Sequence, residues 1–353
     1  MNYDVARARS HSISPNIQIV STRDLLDEAG TEKLCAGVHR GFGQFKANYQ
    51  GVCVNTIRNS AFELLVSAYP AKKGKGRWLK LLHRLLDIKP YGFAKSSRMG
   101  KYTIMLDPGD QCDQLFYFGI IGHDHDQLLT ALLRPGDCVI DVGANAGHFT
   151  ASCANLVGAK GFVHAIEANP YLVSRLQDGF RSAPEITVHH AAAASTAGQA
   201  VFSIATFSGW SSLIPNKTYD VQEQVKVTRI TVDDLIYKQK IEKVRLLKLD
   251  IEGGEFDALR GAVDALRAGI IDYVFTEVEP DRMNAFGWSV GDLTALMTSN
   301  GYVPVAVKSG GRFKPFSDEQ NSTVLSGSDI LYSRSSLVEE AAARLFGGGN
   351  RAD

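Results

Sequence analysis

The sequence predicts a doubly wound α/β fold, in which helices cover both faces of a mostly parallel sheet. From Tyr102 onward, short apolar runs alternate with segments of helical periodicity, the pattern of repeated βα units. One run, containing Val139 and Ile140, ends in Asp141 and passes through a glycine-rich turn into a helix. One such domain with an N-terminal extension accounts for the 353 residues.

The elements follow in order along the chain. Strands are predicted at 138–142, 162–166, 186–190, 245–250, 272–278, 302–308 and 328–333. Helices are predicted at 124–133, 146–157, 170–182, 254–268 and 291–300. A hairpin that pairs 200–205 with 225–230 interrupts the alternation and carries the polar loop TFSGWSSLIPNK.

We divide the chain into three regions. Residues 1–90 are predicted to be an N-terminal mainly helical region, because TRDLLDEAG, NTIRNSAFELLVSAY and RWLKLLHRLL place apolar residues near helical spacing. Residues 91–335 form the α/β domain. Residues 336–353 are predicted to be a helix-like tail, partly disordered at its glycine-rich end.

A basic stretch within the N-terminal region accompanies Trp78 and a leucine stripe. Such a helix either rests on anionic membrane or packs on its own domain with its charges solvated, and we predict packing. The basic residues are Lys72, Lys73, Lys75, Arg77 and Lys80.

Composition excludes several protein classes. Hydrophobic residues make up 44% and charged residues 22% of the chain, so a sizeable core is available. Basic and acidic residues both number 38, so no net field attracts a polyanion, and we predict no nucleic-acid partner. No apolar run approaches the ~20 residues of a spanning helix, and no signal-type segment opens the chain, so we predict no transmembrane segment. The oligomeric state stays unknown.

The cysteines indicate a reducing compartment. They are odd in number, scattered along the chain and form no CxxC pair, so neither a disulfide framework nor a zinc site is expected. We predict reduced thiols and a cytoplasmic location. The five are Cys35, Cys53, Cys112, Cys138 and Cys153.

The turn after the first predicted strand of the domain indicates a nucleoside-bearing cofactor. Gly143 and Gly147 allow the backbone to approach a ligand closely. The next strand ends in Glu167, placed to accept hydrogen bonds from ribose hydroxyls. The spacing reads DxGxNxG rather than the GxGxxG that holds a pyrophosphate. S-adenosyl-L-methionine has no phosphate and carries two cationic groups, so Asp141 suits its methionine portion.

A second polar motif ends a later strand. Lys248 and Asp250 are followed by Glu252, two glycines and Glu255, which places three carboxylates and a lysine near a site. For Glu255, capping of the following helix is an equal alternative.

With these motifs the sequence resembles the FkbM family of S-adenosylmethionine-dependent methyltransferases. The matching pieces, over roughly 100–333, are PGDCVIDVGANAGHFT, AIEANP, Ser195 with Gly198, the SSL of 211–213, KLDIEGGEFDALRG and TEVEP. The resemblance implies a class I methyltransferase (Rossmann-like) fold and O-methylation of a hydroxyl on a sugar, glycan or natural-product acceptor. A nicotinamide-dependent oxidoreductase and a non-catalytic cofactor-binding protein remain alternatives.

The resemblance also implies residue roles. The methionine part of the cofactor would lie among Asp141, Gly143, Asn145 and Gly147, and Glu167 would hold the ribose. Asp250, Glu252 and Glu277 would face the transferred methyl group and the acceptor, with Asp250 also near the cofactor.

Two positions depart from the family pattern. His148 stands where an aromatic residue is common. No acidic residue follows the third strand to bind adenine, which leaves backbone groups near Ala191 to Ala193.

A hydroxyl acceptor benefits from a nearby base, and Asp250 or Glu277 is best placed to serve. His123 and His125 are alternatives, but we favour a solvated loop for these two residues. We predict acceptor contacts for Trp210, Ser211, Lys248 and Glu279, with packing as the alternative for Trp210.

No metal is expected, although Asp250, Glu277 and Glu279 together have the oxygen ligands of a divalent-cation site. His164, in mid-strand, is predicted to be a core residue.

Overall fold

The computed structural model describes the α/β domain and isolated parts of the N-terminal region. The described residues are 62, 64–66, 68, 78–79, 81–82, 85, 95–107, 110–117, 125–205, 208–213, 221–309, 312–316 and 328–347.

Strands and helices alternate along most of this range. The strands are β1 (Lys95–Met99), β2 (Tyr102–Leu106), β3 (Cys138–Val142), β4 (Phe162–Glu167), β5 (Ile186–His190), β6 (Ala192–Ala193), β7 (Gly198–Ala205), β8 (Val221–Ile230), β9 (Val244–Leu249), β10 (Ile271–Val278), β11 (Tyr302–Ser309), β12 (Arg312–Pro315) and β13 (Ser328–Arg334). The helices are α1 (Gln111–Tyr117), α2 (Asp126–Leu132), α3 (His148–Val157), α4 (Pro170–Gly179), α5 (Val232–Gln239), α6 (Glu255–Arg260), α7 (Val263–Arg267), α8 (Pro280–Ala285), α9 (Val290–Ser299) and α10 (Val338–Phe346).

Within the described residues, eight strands form one sheet in the order β12-β11-β13-β10-β9-β3-β4-β5. The strands from β10 to β5 are parallel, and β13, β11 and β12 add antiparallel pairings at one side. The chain winds outward from β3 through β4 to β5, and then resumes at β9 on the other side of β3. Strand order therefore reverses between β3 and β9, the place where open α/β sheets bind their ligands.

Two apolar cores lie on opposite faces of this sheet. Side chains of α2, α3 and α10, such as Leu128, Phe149 and Leu345, pack on one face. Side chains of α5 to α9, such as Leu259 and Leu293, pack on the other. The doubly wound α/β prediction is confirmed.

Helix starts and stops follow local chemistry. Asn169 caps α4 by accepting a hydrogen bond from the Tyr171 amide at 3.0 Å, with Pro170 as the first helical residue. The single helix predicted over 254–268 is instead divided into α6 and α7. A Cβ at Gly261 would lie 2.2 Å from the Ala194 carbonyl oxygen, so glycine lets the chain pack closely there and the helix is interrupted.

The sequence pattern missed several smaller features. They are the β1–β2 hairpin, the helices α1, α5 and α8, the short strand β6 and the edge strand β12. The predicted hairpin is present as β7 with β8, which β6 joins in a separate sheet of three strands.

Part of the N-terminal prediction is visible. Phe62, Val66, Leu79 and Leu82 are buried against one another, so this part of the leucine stripe packs within the protein. The stretch TRDLLDEAG, the basic residues from Lys72 to Lys80, and the glycine-rich end after residue 347 lie outside the described residues. Among those that are described, no helix is long and apolar enough to cross a membrane.

His164 lies in the sheet, as predicted for a core residue. Its Nδ1 lies 3.1 Å from Nε2 of His189 on the neighbouring strand β5. Burial, with His189 alongside, lowers the pKa of His164 to about 4, so the ring is neutral at ordinary pH.

Candidate active site

A cleft opens at the carboxyl ends of β3, β4 and β9, where the strand order reverses. Its empty volume, including the open mouth, is about 680 Å³, within the usual range for small-molecule sites. The lining includes six of the predicted site residues, which are Gly143, Asn145, Glu167, Ser211, Asp250 and Glu252.

The glycine-rich turn after β3 forms one wall. Gly143 has a positive φ of 79°, and a Cβ there would lie 2.0 Å from the Asp250 carbonyl oxygen. The Asp250 amide in turn donates to the Val142 carbonyl at 3.1 Å. The turns after β3 and β9 therefore touch through their backbones, which brings the two sequence motifs together.

Asp141 lies beneath this turn and is fully buried. Its Oδ2 accepts a hydrogen bond from the Thr150 hydroxyl at 2.6 Å, and its Oδ1 lies 3.1 Å from the Lys248 ammonium. Both carboxylate oxygens of Asp141 are therefore engaged by protein partners, and a contact of its side chain with the cofactor stays a prediction.

Glu167 joins two turns to the cleft. One carboxylate oxygen accepts from the Asn145 amide and the other from the Asn169 amide, both at 2.8 Å. Burial raises the pKa of Glu167, and these backbone donors offset part of that effect. Each oxygen has a second lone pair that remains able to accept from a ligand hydroxyl.

One end of the cleft is apolar. Ala191 to Ala193 follow β5 and include β6, and Phe202 faces them from β7. Leu172 and Leu213 complete this end. Ser211, which we predicted to bind the acceptor, lines the cleft and accepts a hydrogen bond from the Ala205 amide at 3.1 Å.

Asp250 and Glu277 form an interacting pair of carboxyl groups at adjacent strand ends. Desolvation by the surrounding protein raises the pKa of Asp250, but the nearby Lys248 ammonium outweighs this effect and the net pKa is lowered. Burial and the Asp250 charge raise the pKa of Glu277 to about 10. Glu277 therefore carries a proton at neutral pH and donates a hydrogen bond to ionised Asp250.

This pair predicts a pH effect on stability. The folded-state pKa of Glu277 lies above its ordinary value near 4.5. The contribution of protonated Glu277 to the stability of the folded protein is therefore complete below pH 4.5, and it is lost as the pH rises toward 10. Glu277→Gln keeps a hydrogen-bond donor but cannot ionise.

Between pH 5 and pH 9 we expect the free energy of unfolding of the parent to fall relative to that of Glu277→Gln, by at most about 1.4 kcal/mol per pH unit. The thermal midpoint of the parent should fall with it. Parallel midpoints across this range would show that Glu277 is ionised in the folded protein.

Glu252 lies in the cleft wall beside this pair. It has a positive φ of 63° and forms an ion pair with Arg282 of α8. Atoms of Asp250, Glu252 and Glu277 all lie within 4.8 Å of one another. Acidic groups this close are common in proteins without a metal, and here each already has a partner in the protein.

Catalytic activity is therefore expected to survive treatment with EDTA. Lys248 pairs with Asp250, Arg282 pairs with Glu252 and Glu277 carries a proton, so a cation would have to displace these partners. Turnover measured before and after chelation and gel filtration checks this. Loss of turnover that magnesium or manganese restores would contradict it.

Glu255 acts on its own turn. Its Oε1 accepts from the amides of Ile251 at 2.9 Å and Gly253 at 3.2 Å. Burial raises its pKa to about 7, and these donors oppose the increase. These amides precede α6, whose N-cap Gly254 has no side-chain cap hydrogen bond, so Glu255 braces the turn between β9 and α6 and only its place in the first turn agrees with the capping alternative.

Other predicted residues lie at varied distances from the cleft. Trp210 is 40% exposed and stands outside the cleft lining. Glu279 lies at the start of α8, two residues beyond Glu277. Its pKa is raised by partial burial and by Asp281 and Asp329. An acceptor role for Trp210 and Glu279 stays a prediction.

His125 is packed more closely than a solvated loop residue. Its ring makes edge contacts with Phe149 and Phe275, at centroid distances of 5.5 and 5.3 Å. Lys308 donates to its Nε2 at 3.0 Å and pairs with Asp329 at 3.2 Å. His123 lies outside the described residues.

Sequence reasoning missed several residues of the site. Thr150 binds Asp141, and its place in the first turn of α3, nine residues along, is a usable signal. Phe286 lines the cleft from beyond α8, and Arg282 pairs with Glu252. No local pattern marks these two, because they approach from a distant segment.

Comparison with known proteins places this cleft within a recognised domain. Residues 141–304 match the model of the methyltransferase FkbM domain. The chain is 27% identical over 155 residues to the hexuronic acid methyltransferase AglP of Haloferax volcanii, which is 43% of this chain and 60% of that protein. The chain thus spans less than two thirds of this curated relative.

Two solved structures show distant likeness. The methyltransferase FkbM of Methylobacillus flagellatus has a TM-score of 0.38 and 15% identity, covering 79% of this chain and 60% of that one. The fibrillarin of Aeropyrum pernix, solved with natively bound S-adenosyl-L-methionine, has a TM-score of 0.34 and 12% identity, covering 60% of this chain and 76% of that one.

Proposed function

Residues 141–304 of this chain match the model of the methyltransferase FkbM domain, and from that match we propose that the protein transfers a methyl group from S-adenosyl-L-methionine to a hydroxyl of a sugar or glycan. One observation supports this most strongly. Glu167, the carboxylate expected to bind the ribose of the cofactor, and the ionised Asp250 line one cleft where the strand order reverses. One cleft therefore contains a group suited to the cofactor, Glu167, and a group suited to the acceptor hydroxyl, Asp250.

The residues present fit the cofactor by charge. Asp141 and Asp250 both pair with Lys248, so these three groups carry a net negative charge beside Glu167. A buried negative excess favours a ligand with an ammonium and a sulfonium, and it disfavours the pyrophosphate of a nicotinamide cofactor. The side-chain oxygen of Asn145 is buried without a hydrogen-bond partner, so it is suited to accept from an ammonium.

The apolar end of the cleft fits the adenine ring of the cofactor. Ala191 to Ala193, Leu172 and Phe202 form a slot for a flat ring. No acidic side chain is needed there if backbone groups receive the adenine amino group, as the sequence suggested. The Glu167 oxygens lie between this slot and the glycine-rich turn, where the ribose would bind.

When bound, S-adenosyl-L-methionine supplies a methyl group already activated by its sulfonium. The protein then has to exclude water, align the acceptor and receive its proton. Asp250 is ionised and open to the cleft, so it accepts the proton of the attacking hydroxyl. Glu277 donates to Asp250 and orients it.

The acceptor class rests on the relative. The Haloferax volcanii protein is a hexuronic acid methyltransferase, and we propose a uronic acid or related glycan residue for this chain. The test is mass spectrometry of hexuronic-acid oligosaccharides after incubation with enzyme and methyl-labelled cofactor. A gain of one labelled methyl group supports the proposal. Transfer to nucleic acid alone, or none to any glycan or source-cell extract, would contradict it.

Glu167→Ala is expected to weaken cofactor binding by ~1.5–3 kcal/mol, the cost of a lost charged hydrogen-bond partner. Glu167 also holds the amides of Asn145 and Asn169, so thermal midpoints without cofactor measure the structural part. Calorimetry gives the affinity. Glu167→Gln is the matched control, because it keeps the shape and one acceptor oxygen. Unchanged affinity for the alanine variant would place the ribose elsewhere.

We also propose a cytoplasmic location. Cys112, Cys138 and Cys153 are free thiols in the described part of the chain. Burial raises the pKa of Cys138 to about 12 and that of Cys153 well above its ordinary value, so both stay protonated and unreactive. Thiol labelling after acid quenching of cells and denaturation of the protein measures their redox state. Oxidised cysteines in the purified native protein would contradict this location.

A further inference from the structure

Lys248 is the buried cation that joins the two motifs of the site. Its ammonium donates to the Gly143 carbonyl at 2.9 Å and lies 3.1 Å from Asp141 Oδ1 and 3.3 Å from Asp250 Oδ2. Three acceptors match the three N–H groups of an ammonium. No donor of Lys248 is left for an acceptor molecule, in contrast to its predicted role in acceptor binding.

Burial of the Lys248 side chain also keeps it away from the part of the cleft where the acceptor would bind. The side chain is only 6% exposed, whereas that of Asp250 is 47% exposed to the cleft. The ammonium lies over the ring of Phe149, 5.4 Å from its centroid, on the core side of the sheet. Lys248 thus supports Asp250 from beneath and leaves its outer face to the ligand.

The contact between Lys248 and Asp250 offsets the negative charge around Asp250. Asp250 is surrounded by other carboxyl groups, because Glu277 on β10 and Glu255 on α6 both interact with it. His125 and Lys248 are the cationic or ionisable nitrogen groups that act on Asp250. Without Lys248, an acidic cluster would favour protonation of Asp250, and its carboxylate would lose the contact that fixes its direction.

We propose that Lys248 is a positioning residue that acts through Asp250, holding its carboxylate in place and ionised at the mouth of the cleft. This inference rests on the proposed methyl transfer. It assigns Lys248 no contact with the acceptor or with the transferred methyl group. The same ammonium ties Asp250 to the Gly143 carbonyl, so the base is fixed relative to the cofactor turn.

The test is a double-mutant cycle with Lys248→Met and Asp250→Asn. Methionine keeps most of the side-chain length and removes the charge. We expect Lys248→Met alone to lower turnover by ~10²-fold, because the base is misplaced and partly protonated. In the Asp250→Asn background the same change is expected to lower turnover less than ~3-fold, since residues in one network are non-additive.

A pH profile separates this role from loss of folding. Removing the ammonium raises the pKa of Asp250, so the acid limb of turnover should move to higher pH and Lys248→Met should recover activity as pH rises. Lys248→Arg, which keeps the charge, should retain more turnover than Lys248→Met. A merely unfolded fraction would shift neither the limb nor this order.

Lys243→Met is the matched control. Lys243 precedes the same strand and also pairs with an aspartate, Asp272 at 2.6 Å, but at the far end from the cleft. Its replacement should leave turnover within a few-fold of the parent. Equal losses for Lys248→Met in both backgrounds, with an unshifted acid limb, would overturn the inference. Failure of the parent to transfer any methyl group would instead overturn the proposed function.

Discussion

Replacing Asp250 by asparagine is expected to lower turnover by ~10²–10⁴-fold, the typical loss on removing a general base. S-adenosyl-L-methionine affinity should change far less. Asp250 follows β9, and its amide bonds to Val142 on the adjacent strand, so the side chain stands at the strand switch point. The Lys248 ammonium keeps the pKa of Asp250 below its ordinary value, so the carboxylate is ionised and its oxygens are able to accept a hydrogen bond from the acceptor hydroxyl.

Asparagine keeps the shape of the side chain but removes its basicity. Single-turnover rate, cofactor affinity and thermal midpoint should be measured on one preparation of the variant. If turnover stays within a few-fold of the parent, Asp250 is not the base. A lower midpoint with near-normal turnover in the folded fraction would show a structural role, and Glu277 or His125 would become the next candidate.

Gly143→Ala is expected to have the second large effect, on stability and cofactor binding together. A Cβ at Gly143 would lie 2.0 Å from the Asp250 carbonyl oxygen, and both are backbone-bound positions that cannot rotate away. The positive φ of 79° adds strain for any L-residue. We expect a loss of about 2–5 kcal/mol in the free energy of unfolding, together with reduced affinity and turnover.

Gly301→Ala is the control for this variant. Gly301 has a similar φ of 83°, but nothing lies within 4 Å of the Cβ position. It should therefore report backbone strain alone, about 1–2 kcal/mol. Denaturant unfolding of both variants and calorimetry with cofactor give the comparison. Equal losses for the two variants, with normal cofactor affinity for Gly143→Ala, would show that the turns after β3 and β9 are not in close contact.

The sequence was informative wherever chemistry is local. Asp141, the glycine-rich turn and Glu167 follow consecutive strands, so their spacing predicted one cleft at a shared sheet edge. Asp250 follows a strand that pairs with β3, as the α/β alternation implied. Residues 141–304 also carry the family match that the combined motifs suggested.

Roles that depend on long-range contacts were less visible. Lys248 was assigned to the acceptor because it lies among acidic residues in the sequence, whereas the structure buries its ammonium between Asp141 and Asp250. The Arg282 partner of Glu252 comes from a helix thirty residues away. The closely packed His125 depends on rings from α3 and β10. Such partners are set by tertiary packing, which periodicity and spacing do not encode.

The break between α6 and α7 illustrates the same limit. The apolar periodicity over 254–268 runs through Gly261, and sequence reasoning joined the two helices. Gly261 is instead the point where the backbone approaches Ala194, with a Cβ position only 2.2 Å from that carbonyl oxygen. A glycine within a helical pattern carries information about a neighbour that the pattern itself does not name.

Calorimetry of the purified protein with S-adenosyl-L-methionine, its demethylated product and NAD⁺ tests the central claim most directly. The cleft has a net negative charge around Asp141 and Asp250 and an apolar slot at its other end. We therefore expect the first two ligands to bind and NAD⁺ to give no heat that saturates. Binding of NAD⁺, with no binding of S-adenosyl-L-methionine or its demethylated product at high micromolar concentration, would contradict the proposed function.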